Sequence, residues 1–152
     1  MAGALDGAQV LVADDDEDSL EVLAFIVSQE GATVRTANNA TGVLELLLTW
    51  TPDLLLLDIS MPVMDGFELL SSIRGTARLG EIPAVAVTAH AYEVDRRRCL
   101  DAGFAEHVGK PYDPEAMIAL VTRIVVPQSR TRGKVPTPPA SAPGPSGRSP
   151  DT

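Results

Sequence analysis

Apolar residues recur along this chain in two alternating patterns. Short apolar or β-branched runs read as strands: Gln9 to Ala13, Thr33 to Ala37, Leu54 to Leu57, Ala84 to Thr88 and His107 to Gly109. Between them, apolar residues return every three or four positions, the spacing of a helix with one buried face. Ser19 to Glu30 carries Leu20, Leu23, Ile26 and Val27 and stops at Gly31. Asn38-Asn39 can cap a second helix to about Trp50, with Val43, Leu44, Leu47 and Leu48 as its buried stripe. A third runs from Phe67 to about Arg74, with Leu69, Leu70 and Ile73 inward, and Gly75 to Pro83 is expected as a loop. A fourth spans Tyr92 to Ala102 and ends at Gly103. Asp113 caps and Pro114 opens a fifth, which is expected to end near Val126.

Strand and helix alternate five times, with connections too long for hairpins. That order predicts an α/β fold: a doubly wound five-stranded parallel sheet with five helices on its two faces, a three-layer sandwich. Leu54 to Leu57 is apolar at every position, so it belongs at the centre, buried on both sides. The run stops at Asp58, and Met61-Pro62-Val63-Met64-Asp65-Gly66 keeps the chain in a loop before the next helix. Asp58 therefore stands at the carboxyl end of a central strand, where sheets of this kind place their ligands.

Composition divides the chain into parts. Residues 8–126 read as one domain, preceded by a short extension at 1–7. Residues 127–152 hold seven of the twelve prolines and no apolar periodicity, so they read as a disordered Pro/Ser/Thr-rich tail. That tail is either inert or a tether or docking segment. The net charge is −9, with −12 on residues 1–126 against +3 on residues 127–152, which argues against direct nucleic-acid binding. No apolar run is long enough to span a membrane, and the N-terminus lacks the features of a secretory signal. Cys99 is the single cysteine, which fits a reducing, cytoplasmic setting.

The remaining polar residues gather at one edge. Four strand ends deliver Asp14 and Asp15, Asp58, Thr88, and Lys110 to it. Three carboxylates brought together repel and raise one another's pKa. A hard divalent cation such as Mg²⁺, which prefers oxygen ligands, removes that cost. Asp58 can then act as a nucleophile toward a phosphoryl group, with Mg²⁺ and Lys110 neutralising charge and the Thr88 hydroxyl donating a hydrogen bond. Each residue alone has a plainer role: acids at a helix start, a turn cap, a strand end, a surface lysine. Their joint occurrence on four strand ends, in a chain with only two lysines, favours the chemical reading.

With Val-Ala-Asp-Asp at 12–15, Leu-Leu-Asp-Ile-Ser-Met-Pro-Val-Met-Asp-Gly at 56–66, Val-Thr-Ala at 87–89 and Lys-Pro at 110–111, residues 8 to 126 resemble a response-regulator receiver domain of two-component signalling. The resemblance implies the flavodoxin-like strand order 2-1-3-4-5. It implies that Asp58 accepts phosphate from a sensor histidine kinase or a histidine phosphotransfer protein, in a phosphorelay that switches a protein-binding surface. The receiver would catalyse its own phosphorylation and slow dephosphorylation and would not be a metabolic enzyme. Mg²⁺ would be held by Asp15, Asp58 and the backbone carbonyl of Ser60, with Asp14 acting through water. Thr88 and Lys110 would sense the phosphate, and the Lys110–Pro111 peptide would be cis. One position departs from the family: His107 stands where receivers commonly carry Tyr or Phe as the switch residue.

Three other readings compete. A phosphatase of the haloacid-dehalogenase type also uses Asp, Mg²⁺, Thr and Lys, but it needs a second Asp where this chain has Ser60. A dinucleotide-binding domain needs a Gly-rich turn after the first strand, where an acidic run stands instead. A receiver fold used purely as a binding module has no need of all five polar residues. His90 reads as a polar loop residue near the phosphate mouth, and Arg96-Arg97-Arg98 as a solvated face or a partner contact. With no output domain in the sequence, a free-standing receiver or a relay intermediate is expected.

Overall fold

The leucine strand is the middle of the molecule. The computed structural model describes residues 3–89 and 96–134, and within 126–134 the backbone alone. Its elements are β1 (Gln9–Ala13), α1 (Glu17–Gln29), β2 (Thr33–Ala37), α2 (Ala40–Leu47), β3 (Leu54–Leu57), α3 (Gly66–Arg74), a 3₁₀ turn at Ala77–Leu79, β4 (Ala84–Thr88), α4 (Arg96–Ala102), β5 (Glu106–Gly109) and α5 (Pro114–Lys134). The five strands pair in parallel in the order β2-β1-β3-β4-β5. The doubly wound sheet predicted from the alternation is therefore present, with the predicted strand order.

Alternation along the strands divides the core in two. On one face Leu11, Leu55 and Leu57 pack with Val43, Leu47, Leu69, Leu70, Ile73 and Phe104, which belong to or adjoin α2, α3 and α4. On the other, Val10, Val12, Leu54, Leu56, Val85 and Val87 pack with Leu20, Leu23 and Val27 of α1 and Met117, Val121 and Val125 of α5. All four leucines of β3 are buried, so this one strand feeds both cores. At about 2 kcal/mol for each buried leucine, it is a principal source of stability and holds Asp58 on a rigid base.

Several boundaries differ from expectation, for physical reasons. Helix α1 starts at Glu17, before the expected Ser19, because Asp16 caps it by accepting a hydrogen bond from the Ser19 N–H. Helix α2 ends at Leu47 and buries Ala40, Val43 and Leu47, while Leu48 is 77% exposed and Leu44 only half-buried. The expected stripe was too wide for a helix facing a sheet. Trp50 instead packs from the following loop, its Nε1 donating to Gln9 Oε1 at 2.5 Å. Strand β5 includes Glu106. Helix α5 runs on to Lys134, past the expected end near Val126. Leu5, in the expected extension, is buried and its N–H donates to Glu30 O at 2.8 Å. His90, the expected first turn of the fourth helix, and residues 135–152 of the expected tail lie outside the described residues.

The loop from β3 to α3 closes tightly beside Asp58. The Gly66 N–H donates to Ile59 O at 2.9 Å, and a Cβ at Gly66 would stand 2.7 Å from the Asp58 carbonyl oxygen. Asp65 and Glu68 form a reciprocal capping box that fixes where α3 begins. At the tip, Val63 has φ +71° and is fully exposed, with the Met64 N–H donating back to Pro62 O at 2.8 Å. A β-branched residue is disfavoured at positive φ, which asparagine tolerates. Val63→Asn should therefore raise stability by about 1 kcal/mol, read as a higher denaturation midpoint. Gly66→Ala should lower it by about 1–3 kcal/mol, because the added methyl meets backbone atoms that cannot yield; an unchanged midpoint would show that the loop closes less tightly.

Candidate functional site

All the strand-end residues predicted from the sequence lie on the carboxyl edge of the sheet. Asp14 follows β1, Asp58 follows β3, Thr88 ends β4 and Lys110 follows β5. Parallel pairing brings these ends together: the Asp58 N–H donates to Ala13 O at 3.0 Å, and the Lys110 N–H donates to Thr88 O at 2.8 Å. Asp14, Asp58 and Thr88 are buried and Asp15 is exposed. The carboxylates of Asp14, Asp15 and Asp58 each place an oxygen within 4.8 Å of the other two.

Charge in this cluster is only partly balanced. Lys110 Nζ donates to Asp14 Oδ2 at 2.6 Å, with both side chains largely buried. This pairing joins residues from opposite ends of the domain and was not foreseen; the sequence suggested a lysine aimed at the acceptor. Asp58 receives a hydrogen bond from the Ser60 N–H at 3.1 Å, so Ser60 presents a backbone donor to this carboxylate, where the sequence expectation concerned its carbonyl. Asp14 accepts from the Asp16 N–H at 2.9 Å. Burial, and then the neighbouring Asp14 charge, push the Asp58 carboxyl up from its ordinary value to about 6, against the opposing pull of the Ser60 N–H and Lys110. Burial, and then Asp14, also raise the Tyr112 hydroxyl. Three oxygen donors with one strained carboxylate fit a small hard cation, and no imidazole or thiol is among them.

His107 is half-buried on β5, paired across the sheet with Ala86, and its N–H donates to Glu106 Oε1. Its Nε2 is buried without a hydrogen-bond partner among the described residues. Arg96 of the arginine triplet bridges to Glu106 at 2.8 Å, Arg97 pairs with Asp101 at 3.9 Å on the same helix, and Arg98 stacks over Phe67 at 4.1 Å, so all three side chains have structural partners. Sequence reasoning missed an apolar groove of about 340 Å³ between α1 and the start of α5, lined by Val22, Ile26, Lys110, Pro111, Tyr112 and Pro114. The signal was available: Val22 lies off the Leu20-Leu23-Val27 stripe and is 53% exposed.

A family model described as the response regulator receiver domain matches residues 10–122. A 14.6 kDa protein from the sodA1 3′ region of Leptolyngbya boryana is 45% identical over 112 residues, covering 74% of this chain and 86% of the relative. The transcriptional regulatory protein GltR of Pseudomonas aeruginosa is 31% identical over 78% of this chain and 49% of its own length. The sensor histidine kinase CheAY of Helicobacter pylori is 32% identical, over 76% of this chain and 15% of the kinase. The chain thus spans half or less of these two larger relatives. Among solved structures, a CheY-like receiver domain protein from Methanospirillum hungatei is 26% identical with a TM-score of 0.73, over 82% of this chain and 98% of that one.

The raised Asp58 carboxyl carries a stability signature. The folded, metal-free protein holds this proton more tightly than the unfolded chain. The stability it contributes is therefore complete below about pH 3.8 and is lost as pH rises through about 6. The loss across that window should be on the order of 2–3 kcal/mol. Denaturation of wild type and Asp58→Asn in chelator isolates the effect: the variant should gain relative to wild type from pH 4 to 6 and hold a constant advantage above. A difference that stays flat over that range contradicts the assignment.

Proposed function

The chain belongs to the response-regulator receiver family, and on that footing we propose that Asp58 takes a phosphoryl group from a phosphohistidine in a step this chain catalyses itself. Membership makes it a receiver domain of two-component signalling and not a metabolic enzyme. The observation that carries the finer reading is the cluster of Asp14, Asp15 and Asp58 at a buried strand end with Lys110 already bound to Asp14.

In this reading an Asp58 carboxylate oxygen attacks phosphorus. The new O–P bond forms as the P–N bond breaks, and its electron pair stays on the imidazole nitrogen of the donor. Asp15, Asp58 and the Ser60 carbonyl would hold a magnesium ion, with Asp14 acting through water. That ion supplies charge neutralisation to the carboxylates and the phosphoryl oxygens. Lys110 exchanges part of its contact with Asp14 for the new phosphoryl oxygens, and the Thr88 hydroxyl donates to another. Drawing Thr88 inward opens space beside β4, into which His107 rotates, biasing the α4–β5–α5 face between two packings. Hydrolysis of the acyl phosphate by water returns Asp58 and releases inorganic phosphate. The donor is a sensor histidine kinase or a histidine phosphotransfer protein; the apolar groove that opens beside Lys110 is suited to a helical surface of such a donor.

Labelling with acetyl phosphate and Mg²⁺ tests the acceptor and the metal together. Wild type should gain one phosphoryl group and Asp58→Asn none. Asp15→Ala should bind Mg²⁺ at least about tenfold more weakly and label correspondingly slowly. Undiminished labelling of Asp58→Asn, or an unchanged Mg²⁺ titration for Asp15→Ala, would sink the proposal.

A further inference from the structure

We propose that the chain's own C-terminal segment, residues 142–150, seats in the apolar trough between α1 and α5 and covers it until a partner displaces it. The contact is intramolecular and stands whatever group Asp58 accepts.

The trough is longer than the groove beside Lys110. A second cavity of about 480 Å³, walled by Phe25, Ile26, Pro114 and Ile118, adjoins that groove. The two share Ile26 and Pro114, so together they follow α1 from Asp18 to Glu30. Five large apolar side chains are well exposed among the described residues. Two of them, Val22 at 53% and Phe25 at 63%, lie here within one helical turn. A contiguous apolar strip rimmed by the acids Asp18, Glu30 and Glu115 has the character of a docking surface.

Three features select the tail as its occupant. The first is chemistry. Rings and prolines wall the trough, Phe25, Tyr112, Pro111 and Pro114, and such surfaces receive polyproline helices. Residues 135–152 hold six prolines. The second is reach. Parallel pairing starts α1 and α5 at the same sheet edge, so the two helices run side by side in one direction. Helix α5 continues to Lys134, about 24 Å beyond Ile118 at about 1.5 Å per residue. A polyproline segment returning at about 3.1 Å per residue covers that distance in about 8 residues and meets the Ile118 end near Ala142. The trough is about 18 Å long and takes about 6 residues more, which brings Arg148 to Asp18. The third is charge. Arg148 is the one base in residues 135–152, and the end it reaches carries Glu17, Asp18 and Glu21. Tethering supplies an effective concentration of about a millimolar, so a weak contact suffices to fill the trough.

The test uses the full chain. Cys99 is its one cysteine and is fully buried, so Ser141→Cys or Ser149→Cys adds a single accessible thiol for a nitroxide. Broadening of amide signals is read against the reduced label. The label at 141 should broaden Glu30 and Ile118 most, and the label at 149 should broaden Asp18 and Val22 most. Leu69 and Ile73, on the opposite sheet face, should stay sharp under both. Phe25→Glu, at an exposed position, should lower the docked-to-free ratio about tenfold, and the broadening with it. Absent or uniform broadening, the reverse order of the two labels, or broadening untouched by Phe25→Glu would overturn the proposal. So would equally strong broadening of isotope-labelled chains by nitroxide carried on other chains in a mixture, which would give the trough to a second copy.

Discussion

The structure turns on two carboxylates, Asp14 and Asp58, that are buried side by side at the ends of adjacent strands. Hydrophobic packing does not favour that arrangement. Burial and mutual repulsion lift Asp58 to about 6, and the one nearby ammonium, on Lys110, is engaged with Asp14. The site is thus short of positive charge. On the proposed reading, a cation relieves part of that shortage and an incoming phosphoryl group draws on Lys110.

Such a pocket needs a base that does not relax. The two cores grip β3 from both sides, so Asp58 is extended from a strand with no exposed residue. Gly66 and the Asp65–Glu68 box fold the following loop back against it. Softening any of these would let the carboxylates move apart and would dissipate the repulsion between them.

Much of this was legible in the chain. All-apolar β3 ending in Asp58 announces a central strand and a site in one stretch, and β-branched or apolar runs ended by polar residues located Thr88 and Lys110. Less was legible where tertiary partners decide. Whether Lys110 would meet Asp14 or Asp58 depends on side-chain packing between β5 and β1, which no local pattern encodes. The true stripe of α2 depended on where Trp50 could reach Gln9. The strain at Val63 was hidden because its cause is the closure between Ile59 and Gly66 and not the valine itself. The groove between α1 and the start of α5 could have been read from Val22, an apolar residue off the buried stripe of its helix.

The ion pair between Lys110 and Asp14 joins residues 96 positions apart. Contacts of that separation carry a loop-closure entropy that the contact itself has to offset. A nascent or partly melted chain can hold the β3 leucines and still lack β5, and then it has an aspartate but no constellation around it. On the proposed reading, chemical competence therefore needs β5 docked beside β4 as well as β3 buried. Label appearing on Asp58 would serve as a stopwatch for completion of the fold as much as a record of signalling.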